Sequence, residues 1–388
     1  MSAVAPVNES QWTTWLAERA ALRVERGVVR SDPLLRTGDG STPVLDLASN
    51  DYLGLAGDPR IVAAAHEALD RFGASASASR LVTGTLPVHR DLEDALCDLT
   101  EQPAALVFST GYAANLGVIG ALSGRGAHVL LDEHAHASLH DAARMARTPY
   151  TLFTHNDVAD LDRQLCALPG QRVIVAVESI YSVLGDEAPL AEFAQVCARH
   201  DALLVVDEAH GIGVAGQGRG LVHAAGLAGA SHVCVTATLS KSLAAQGGAV
   251  LAHPAVRDHL VNTARSFIFD TALAPAAAGA AAAAARLVVQ DPGLAGRVRA
   301  HAATISRICG IEAAAGAVQS IPLASPQVAV ATALALREKG VLVGCFRPPS
   351  VPDRWSRLRI TARADLSPAA LERAARLIAD TVAEQVAE

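Results

Sequence analysis

The chain has 388 residues, of which 51% are hydrophobic and 18% are charged, and its net charge is -7. This length exceeds one ordinary domain, so we expect a large globular core with a smaller partner domain. The acidic balance and the lack of a basic tract argue against a nucleic-acid partner. The six cysteines are scattered without a metal-like pair, which predicts reduced thiols, a cytoplasmic protein and no bound metal.

Two stretches bear on secretion and membranes, and both argue against them. Residues 1–20 contain Asn, Glu, Gln and two Trp instead of an apolar block, which predicts that no signal peptide is present. The uncharged stretch between Asp270 and Arg286 is shorter than the roughly 20 residues that a membrane span requires. Its alanines predict a helix that packs closely against a neighbour.

The N-terminal region contains three recognisable segments. The spacing of apolar residues predicts an amphipathic helix over 10–30, and a second helix is predicted at about 59–71. A loop of small residues follows at 73–84. Its composition suits either a flexible linker or backbone that lies close to a ligand, and both interpretations stay open.

From residue 104 onward the chain alternates between strands and helices. The predicted strands are 105–108, 129–131, 173–177, 203–206, 233–235 and 249–251. Continuous Val, Ile and Leu runs separated by helices predict a mostly parallel sheet covered on both faces. In such sheets a ligand lies at the carboxyl ends of the strands.

Polar side chains follow four of these strands at that edge. They include His136, Ser182, Asp207, His210 and Lys241. His136 and His210, each taken alone, are more typical of an ordinary loop or core position. Because the carboxyl ends of parallel strands share one edge of a sheet, together they predict a single site.

Lys241 is unusual, because the chain contains only two lysines and uses arginine for its other basic residues. An amine can deprotonate, attack a carbonyl and form a Schiff base, whereas a guanidinium stays protonated. Lys339, which precedes a glycine, is typical of a helix C-terminus. A phosphate-binding P-loop is excluded, because Val235 and Ser240 stand where that motif needs glycines.

A reactive lysine, a carboxylate after a buried strand and a phosphate cradle are the parts of a pyridoxal-phosphate site. The turn that leads from Ser109 to Gly111 opens a helix, and its free amides suit a phosphate. Asp207 would keep the pyridine nitrogen of the cofactor protonated. His210 would reach the phenolic oxygen, and His136 would stack on the ring. The sequence therefore predicts pyridoxal 5'-phosphate as a cofactor.

The motifs around these residues resemble those of the α-oxoamine synthases, a family of fold-type I pyridoxal-phosphate enzymes, over about residues 40–380. The motifs are Asn50-Asp-Tyr-Leu-Gly, Gly111-Tyr-Ala-Ala-Asn, His136-Ala-Ser-Leu, Glu178-Ser-Ile-Tyr-Ser, Asp207-Glu-Ala-His-Gly, Thr238-Leu-Ser-Lys, Arg347-Pro-Pro-Ser-Val-Pro and Arg357-Leu-Arg-Ile-Thr. The resemblance implies an α/β fold with a mostly parallel, doubly wound sheet and a smaller C-terminal α/β domain. We expect an N-terminal arm at 1–44, a large cofactor-binding domain at 45–285 and a small domain at 286–388.

The resemblance also implies roles for individual residues. The expected catalytic residues are Lys241, His136, Asp207 and His210. The expected cofactor-binding residues are Gly111, Tyr112, His136, Ser182, Asp207, His210, Thr238, Ser240 and Lys241. The expected substrate-binding residues are Arg30, Asn50, Arg347, Ser350 and Arg359. Arg26 is the alternative to Arg30, and Arg359 would form a fork on an amino-acid carboxylate.

Within the family, the segment from Arg347 to Ser350 favours the branch that serves biotin synthesis. Its reaction is a decarboxylative condensation of L-alanine with a pimeloyl thioester, carried on coenzyme A or a carrier protein, by a homodimer. Two alternatives stay open. One is a family member of the glycine C-acetyltransferase or 5-aminolevulinate synthase type. The other is a regulatory protein that holds the cofactor without catalysis.

The sequence departs from the family pattern at three places: two stretches where glycines are common and one position where an acid is common. The glycine-rich loop is partly Ala and Ser over 73–79, and alanines occupy 244–245, where glycines are frequent. Leu184 stands where the family commonly has Asp. No departure removes an expected catalytic group, but the first two could narrow the space near the cofactor.

Overall fold

The computed structural model describes residues 10–30 and 44–387, and its largest element is a seven-stranded sheet. Its strands are β2 (Ala105–Phe108), β3 (Ala127–Asp132), β4 (Tyr150–Phe153), β5 (Arg172–Glu178), β6 (Leu203–Asp207), β7 (Val233–Thr238) and β8 (Gly248–Leu251). They lie in the order β2-β8-β7-β6-β5-β3-β4, and within this sheet only β8 runs antiparallel to its neighbours. The prediction of a mostly parallel sheet is therefore confirmed.

Helices cover both faces of this sheet. The helices of the described residues, in chain order, are α1 (Gln11–Glu25), α2 (Pro59–Phe72), α3 (Pro87–Thr100), α4 (Gly111–Leu122), α5 (Ala137–Ala146), α6 (Val158–Cys166), α7 (Leu190–Arg199), α8 (Leu221–Ala224), α9 (Pro254–Thr263), α10 (Arg265–Ile268), α11 (Pro275–Gln290), α12 (Gly293–Cys309), α13 (Pro326–Glu338) and α14 (Pro368–Ala387). Of these, α1 buries no side chain, and α12, α13 and α14 pack in the C-terminal part of the chain. Along β5, Val173 and Val175 face one apolar cluster, whereas Ile174 and Ala176 face the other. This period of two buries both faces, which explains the continuous apolar runs of the sequence.

The edge strand β4 is an element that the sequence analysis did not predict. Thr151 and Leu152 in this strand are exposed, and Phe153 is buried. An edge strand packs fewer of its side chains into the core than a central strand does. It therefore lacks the continuous apolar run by which the central strands are recognised.

The alanine-rich helix α11 packs closely against α2, as predicted. A Cβ on Gly279 would lie 2.7 Å from the Cβ of Ala68 and 2.8 Å from the carbonyl oxygen of Ala64. Only a very small residue permits that approach. None of the described helices, α11 included, combines the length and apolar character needed to cross a membrane.

The boundary that we expected at 285 lies inside α11, which continues to Gln290. A helix is one rigid element, so a boundary within it would divide a continuous hydrogen-bond ladder. We therefore propose that the large domain ends at Asp291 and Pro292, between α11 and α12.

The C-terminal part is a smaller α/β unit with its own sheet. Its antiparallel strands are β9 (Val318–Leu323), β11 (Gly344–Phe346) and β12 (Ser356–Thr361), in the order β11-β12-β9. Helix α12 packs against α14 and β9, and α13 packs against α14 and all three strands. Strand β10 (Val341–Leu342) pairs in parallel with β1 (Leu45–Asp46), so the chain before the large sheet is attached to this unit.

The described part of the N-terminal arm is α1 and the residues to Arg30, while 1–9 and 31–43 lie outside the described residues. No side chain of α1 is buried, although the helix forms where it was predicted. The arm contacts the C-terminal unit through Arg347, which donates to the carbonyl oxygens of Gly27 at 2.6 Å and Val29 at 3.0 Å.

Candidate active site

The carboxyl ends of β5, β6 and β7 lie side by side and bring the predicted residues to one edge of the sheet. In the strand register, Glu178 lies opposite Asp207, and Asp207 lies opposite Thr236. Lys241 lies in the turn between β7 and the antiparallel strand β8. The reversal of the chain at this turn directs the lysine back over the ends of the parallel strands.

Lys241 is at the centre of a chain of polar contacts. Its Nζ lies 2.9 Å from His210 Nε2, and His210 Nδ1 lies 2.6 Å from the hydroxyl oxygen of Tyr52. Burial lowers the pKa of Lys241 to about 8, although the negative charge of Asp207 acts in the opposite direction. An amine with such a pKa is partly neutral near physiological pH and can act as a nucleophile or base.

His210 is suited to accept a hydrogen bond from Lys241 while its ring stays neutral. Burial and the positive charge of Lys241 lower the pKa of His210 well below its ordinary value. The neutral ring therefore has one nitrogen that accepts and one that donates. When Lys241 donates to Nε2, the ring donates from Nδ1 to Tyr52, whose hydroxyl can donate to Asn50 Oδ1 at 3.2 Å.

Two neighbouring carboxyl groups at the strand ends differ in their surroundings. Asp207 accepts hydrogen bonds from the Asn115 side chain at 2.8 Å and the Ala209 amide at 3.0 Å, and both support a negative charge. Burial and the nearby charge of Asp207 raise the pKa of Glu178 well above its ordinary value, which favours its neutral form. Asp207 is therefore the carboxyl group at this edge whose hydrogen bonds favour a negative charge, as a protonated pyridine nitrogen requires.

The start of α4 forms a cradle for an anion. Thr110 caps the helix through its side chain, and the first amides of a helix, here those of Gly111 and Tyr112, have no intrahelical acceptor. The hydroxyls of Thr238 and Ser240 lie 2.6 Å apart. A Cβ on Gly111 would lie 3.1 Å from the Cβ of Thr238, so the helix start and this hydroxyl pair are adjacent. Amide donors, a helix N-terminus and hydroxyls suit a phosphate group.

Arg359 provides a buried guanidinium on β12. It donates from Nε to the Ser182 carbonyl at 2.8 Å and from Nη1 to Asn50 Oδ1 at 3.0 Å. Its guanidinium carbon lies over the ring of Phe346, 5.4 Å from the ring centroid. Arg359 is 4% exposed, yet within the described ranges no carboxylate forms an ion pair with it. A buried cation held only by neutral acceptors is suited to bind the carboxylate of a ligand.

A cavity of about 640 Å³ lies over these groups. The predicted residues that line it are Asn50, His136, Ser182, His210, Lys241, Ser350 and Arg359. Its volume is within the range of small-molecule sites. An amine, a guanidinium and two imidazoles line it, and Asp207 and the anion cradle lie at the adjoining strand ends, so the residues fit the pyridoxal phosphate that the sequence predicts.

Three predicted residues are placed at the margin of this cavity. The side chain of Tyr112 is 45% exposed and donates to Asp141, so only its backbone belongs to the cradle. Arg30 donates to the Ser350 hydroxyl, which lines the cavity. Arg347 uses two nitrogens to bind backbone carbonyls of the arm, so it positions the arm beside the C-terminal unit.

The sequence analysis missed two residues that link predicted ones. Tyr52 contacts both His210 and Arg359, which is 3.5 Å away, and Asn115 contacts Asp207. Both residues belong to motifs that carry the family resemblance. Their individual roles depend on contacts over long sequence separations, for which neither motif contains a local signal.

A second histidine pair supports the wall of the cavity. His134 lines the cavity and stacks on His155, with ring centroids 3.8 Å apart. Burial opposes a charge on His155, but hydrogen bonds to Asp132 and Asp186 raise its pKa to about 9. Asp186 follows the position where Leu184 departs from the family pattern, so this departure leaves the ion pair intact.

Known proteins resemble this chain along nearly its whole length. Residues 42–378 match the aminotransferase class I and II family. The 8-amino-7-oxononanoate synthase of Mycolicibacterium gilvum is 51% identical over 91% of this chain and 93% of its own length. The protein of the same name from Mycolicibacterium paratuberculosis is 49% identical over 98% of this chain and 99% of its own.

Solved structures agree with the fold. A serine palmitoyltransferase from S. paucimobilis is 30% identical, with a TM-score of 0.88 over 98% of this chain and 100% of its own. The 8-amino-7-oxononanoate synthase of Francisella tularensis, 22% identical with a TM-score of 0.75 over 90% of this chain and 100% of its own, supports the fold alone. The chain therefore belongs to the aminotransferase class I and II family and, within it, to the α-oxoamine synthases.

Proposed function

We propose that this chain is a pyridoxal-phosphate-dependent acyltransferase of biotin synthesis. It condenses L-alanine with a pimeloyl thioester and releases 8-amino-7-oxononanoate, carbon dioxide and the free thiol. Relatives that bear the name of this synthase, 51% and 49% identical, support the assignment. The structural observation that carries it is the cavity that Lys241 and Arg359 share, where a neutralisable amine lies near a cation that has no acidic partner among residues 10–30 and 44–387.

Each residue of the cavity has a task that its surroundings explain. Bound pyridoxal phosphate supplies an electrophilic carbonyl for the substrate amine and a protonated ring that withdraws electrons from the α-carbon. Asp207 supports the positive charge of that ring, and Arg359 binds the carboxylate of the amino acid. The Nζ of Lys241, whose pKa is about 8, removes the proton from the α-carbon.

The remaining predicted residues position the cofactor and the acyl substrate. The amides at Gly111 and the hydroxyls of Thr238 and Ser240 bind the phosphate. Arg30 and Ser350 contact the acyl thioester, because they lie where the arm meets the edge of the cavity. Their side chains add a positive charge and a hydroxyl at the entrance.

A panel of substrates tests this reaction against the other α-oxoamine synthases. We expect the highest kcat/KM for pimeloyl thioester with L-alanine, above succinyl, acetyl and palmitoyl thioesters with glycine or L-serine. One methylene contributes only about 1–3 kcal/mol in an apolar pocket, so neighbouring chain lengths should react slowly. A clear preference for glycine with a short acyl group, or for L-serine with palmitoyl, would overturn the substrate assignment and keep the reaction class.

The regulatory alternative predicts cofactor binding without turnover, and a lysine pair distinguishes it from the enzyme. Lys241→Ala should abolish turnover and the pyridoxyl mass that borohydride fixes on the protein. Lys339→Ala is the matched control, because the second lysine of the chain binds Glu384 and Thr381 outside the site. Turnover that persists in Lys241→Ala, or a labelled wild-type protein that converts no thioester, would contradict the proposed enzyme.

We also propose that the chain works as a homodimer in the cytoplasm. The exposed apolar side chains of α1 support self-association, since Trp12 is 73% and Leu16 is 52% exposed. The six cysteines are all free, which suits a reducing compartment.

A further inference from the structure

A buried chain of hydrogen bonds joins two groups of the active site. Asn115 on α4 donates from Nδ2 to Asp207 Oδ2 and to the hydroxyl oxygen of Ser138, at 2.8 Å each. That hydroxyl lies 2.8 Å from His136 Nδ1. Asn115 is 3% exposed and Ser138 is fully buried, so bulk water does not compete for these bonds. The chain therefore runs without interruption from His136 to Asp207.

The chemistry of the donors determines the direction of each bond. The amide nitrogen of Asn115 can only donate, so Ser138 Oγ accepts and its own hydrogen is available for His136 Nδ1. The backbone amide of Ser138, which also can only donate, lies 3.3 Å from the same Nδ1. A ring nitrogen that accepts carries no proton. His136 is therefore neutral, with its proton on Nε2.

The amide oxygen of Asn115 indicates that this side chain is needed for its N–H donors. Its amide oxygen is buried and, within 10–30 and 44–387, has no hydrogen-bond partner. An unpaired buried acceptor destabilises the folded chain. An apolar side chain of similar size would avoid that cost but would supply neither of the two donors.

We propose that Asn115 and Ser138 are positioning residues: they hold the His136 ring in one tautomer and the Asp207 carboxylate in one orientation. The two groups can then contact one bound ring together. This inference rests on the proposed function for the location of that ring, whereas the hydrogen-bond chain belongs to the protein itself. Charged groups that act on His136 are Asp207, Lys241 and Asp141, which the tests leave unchanged.

Nitrogen-15 NMR of the histidine-labelled, full-length protein tests the tautomer, with and without cofactor, and His136→Gln assigns the signal. We expect a neutral ring with its proton on Nε2 between about pH 6 and 8. Ser138→Ala removes a donor to the neutral form, so the second tautomer should appear and the protonation midpoint should rise. Ser356→Ala, which removes another buried hydroxyl outside the site, should leave the signal unchanged.

Asn115→Leu tests the orientation of Asp207, because it retains volume and removes both donors. We expect cofactor affinity to fall at least tenfold, the pH dependence of cofactor absorbance to shift and kcat to fall more than KM changes. If this variant does not fold, Asn115→Ser retains one donor and should show a smaller change. The double variant with Ser138→Ala should lose less than the sum of the two single losses, since both residues act in one chain.

The inference is overturned by a proton on Nδ1 of His136, by a Ser138→Ala signal equal to that of the Ser356→Ala control, or by additive losses in the double variant. These outcomes are separate from the condensation assay. A chain that shows the expected tautomer but converts no pimeloyl thioester contradicts the proposed function and leaves this inference intact.

Discussion

At the scale of single residues, the reactivity of the site depends on which of its ionisable groups carry a charge. Asp207 and Arg359 are buried beside the half-buried Lys241, so both of their charges act on the protonation of the lysine. Burial favours the neutral amine of Lys241, Asp207 opposes that effect and Arg359 adds to it. The lysine can therefore alternate between a nucleophilic and a protonated form during a reaction.

Removing the Arg359 charge tests this balance. Covalent attachment of pyridoxal phosphate requires the neutral amine, so its rate in the apoprotein should rise with pH and level off above about pH 8, the pKa of Lys241. Arg359→Met removes a cation that disfavours protonation, so the pKa of Lys241 and the midpoint of the rate profile should move to higher pH. Stopped-flow absorbance measures the profile.

The matched control for that measurement is Arg199→Met, which removes a guanidinium paired with Asp162 on the surface. Its rate profile should equal that of the unsubstituted chain. A midpoint that falls or stays constant in Arg359→Met would show that Arg359 does not act on the lysine.

At the scale of elements, the turn between β7 and β8 contains alanines at positions where glycines are frequent in the family. Ala244 has φ 53°, in the left-handed region that favours glycine. Ser77 in the other small-residue loop has φ 61°. The chain thus retains the backbone path that glycines commonly provide there, at a cost in backbone strain.

This strain leads to a stability prediction. Ala244→Gly should raise the free energy of unfolding by about 0.5–1 kcal/mol, because relief of the left-handed strain exceeds the extra freedom of the unfolded chain. The neighbour Ala245 is not in the positive-φ region, so Ala245→Gly should lower stability by a similar amount. Chemical denaturation of both variants checks the pair, and equal changes would contradict the explanation.

At the scale of the whole molecule, α1 buries none of its side chains against the rest of the described residues, 10–30 and 44–387. Trp12, Trp15 and Leu16 are exposed by 73%, 45% and 52%. A helix of 15 residues with no buried side chain gains little from tertiary packing, which normally supplies most helical stability in proteins. Contact with a second copy would bury these aromatic side chains.

A double variant of the arm tests that assembly. Trp12→Gln with Trp15→Gln should weaken dimerisation at least tenfold, since buried aromatic residues often contribute about 2 kcal/mol or more to an interface. Leu334→Gln, a comparably exposed apolar residue on α13, is the control. Light scattering over a dilution series measures both, and an unchanged dimer in the tryptophan variant would exclude α1 from the interface.

The central strands and the alanine-rich helix were correctly predicted from the sequence, which also predicted the residues that the fold brings to one edge of the sheet. These features are local: apolar runs mark β3, β5, β6 and β7, and short motifs carry Lys241 and Asp207. The edge strand β4 escaped prediction because its exposed side chains carry no such pattern. The expected domain boundary at 285 fell inside α11, because the alanine-rich stretch contains no clear linker.

Only the tertiary structure decided which residues cooperate. The link from Tyr52 to His210 joins positions 158 residues apart, and the link from Asn115 to Asp207 joins positions 92 apart. The fold also shows that Arg347 binds the backbone of the arm, whereas its contact with substrate stays a prediction. The physical reason is that burial, partner distance and pKa arise when distant segments pack together, whereas sequence periodicity reports only which segments can pack.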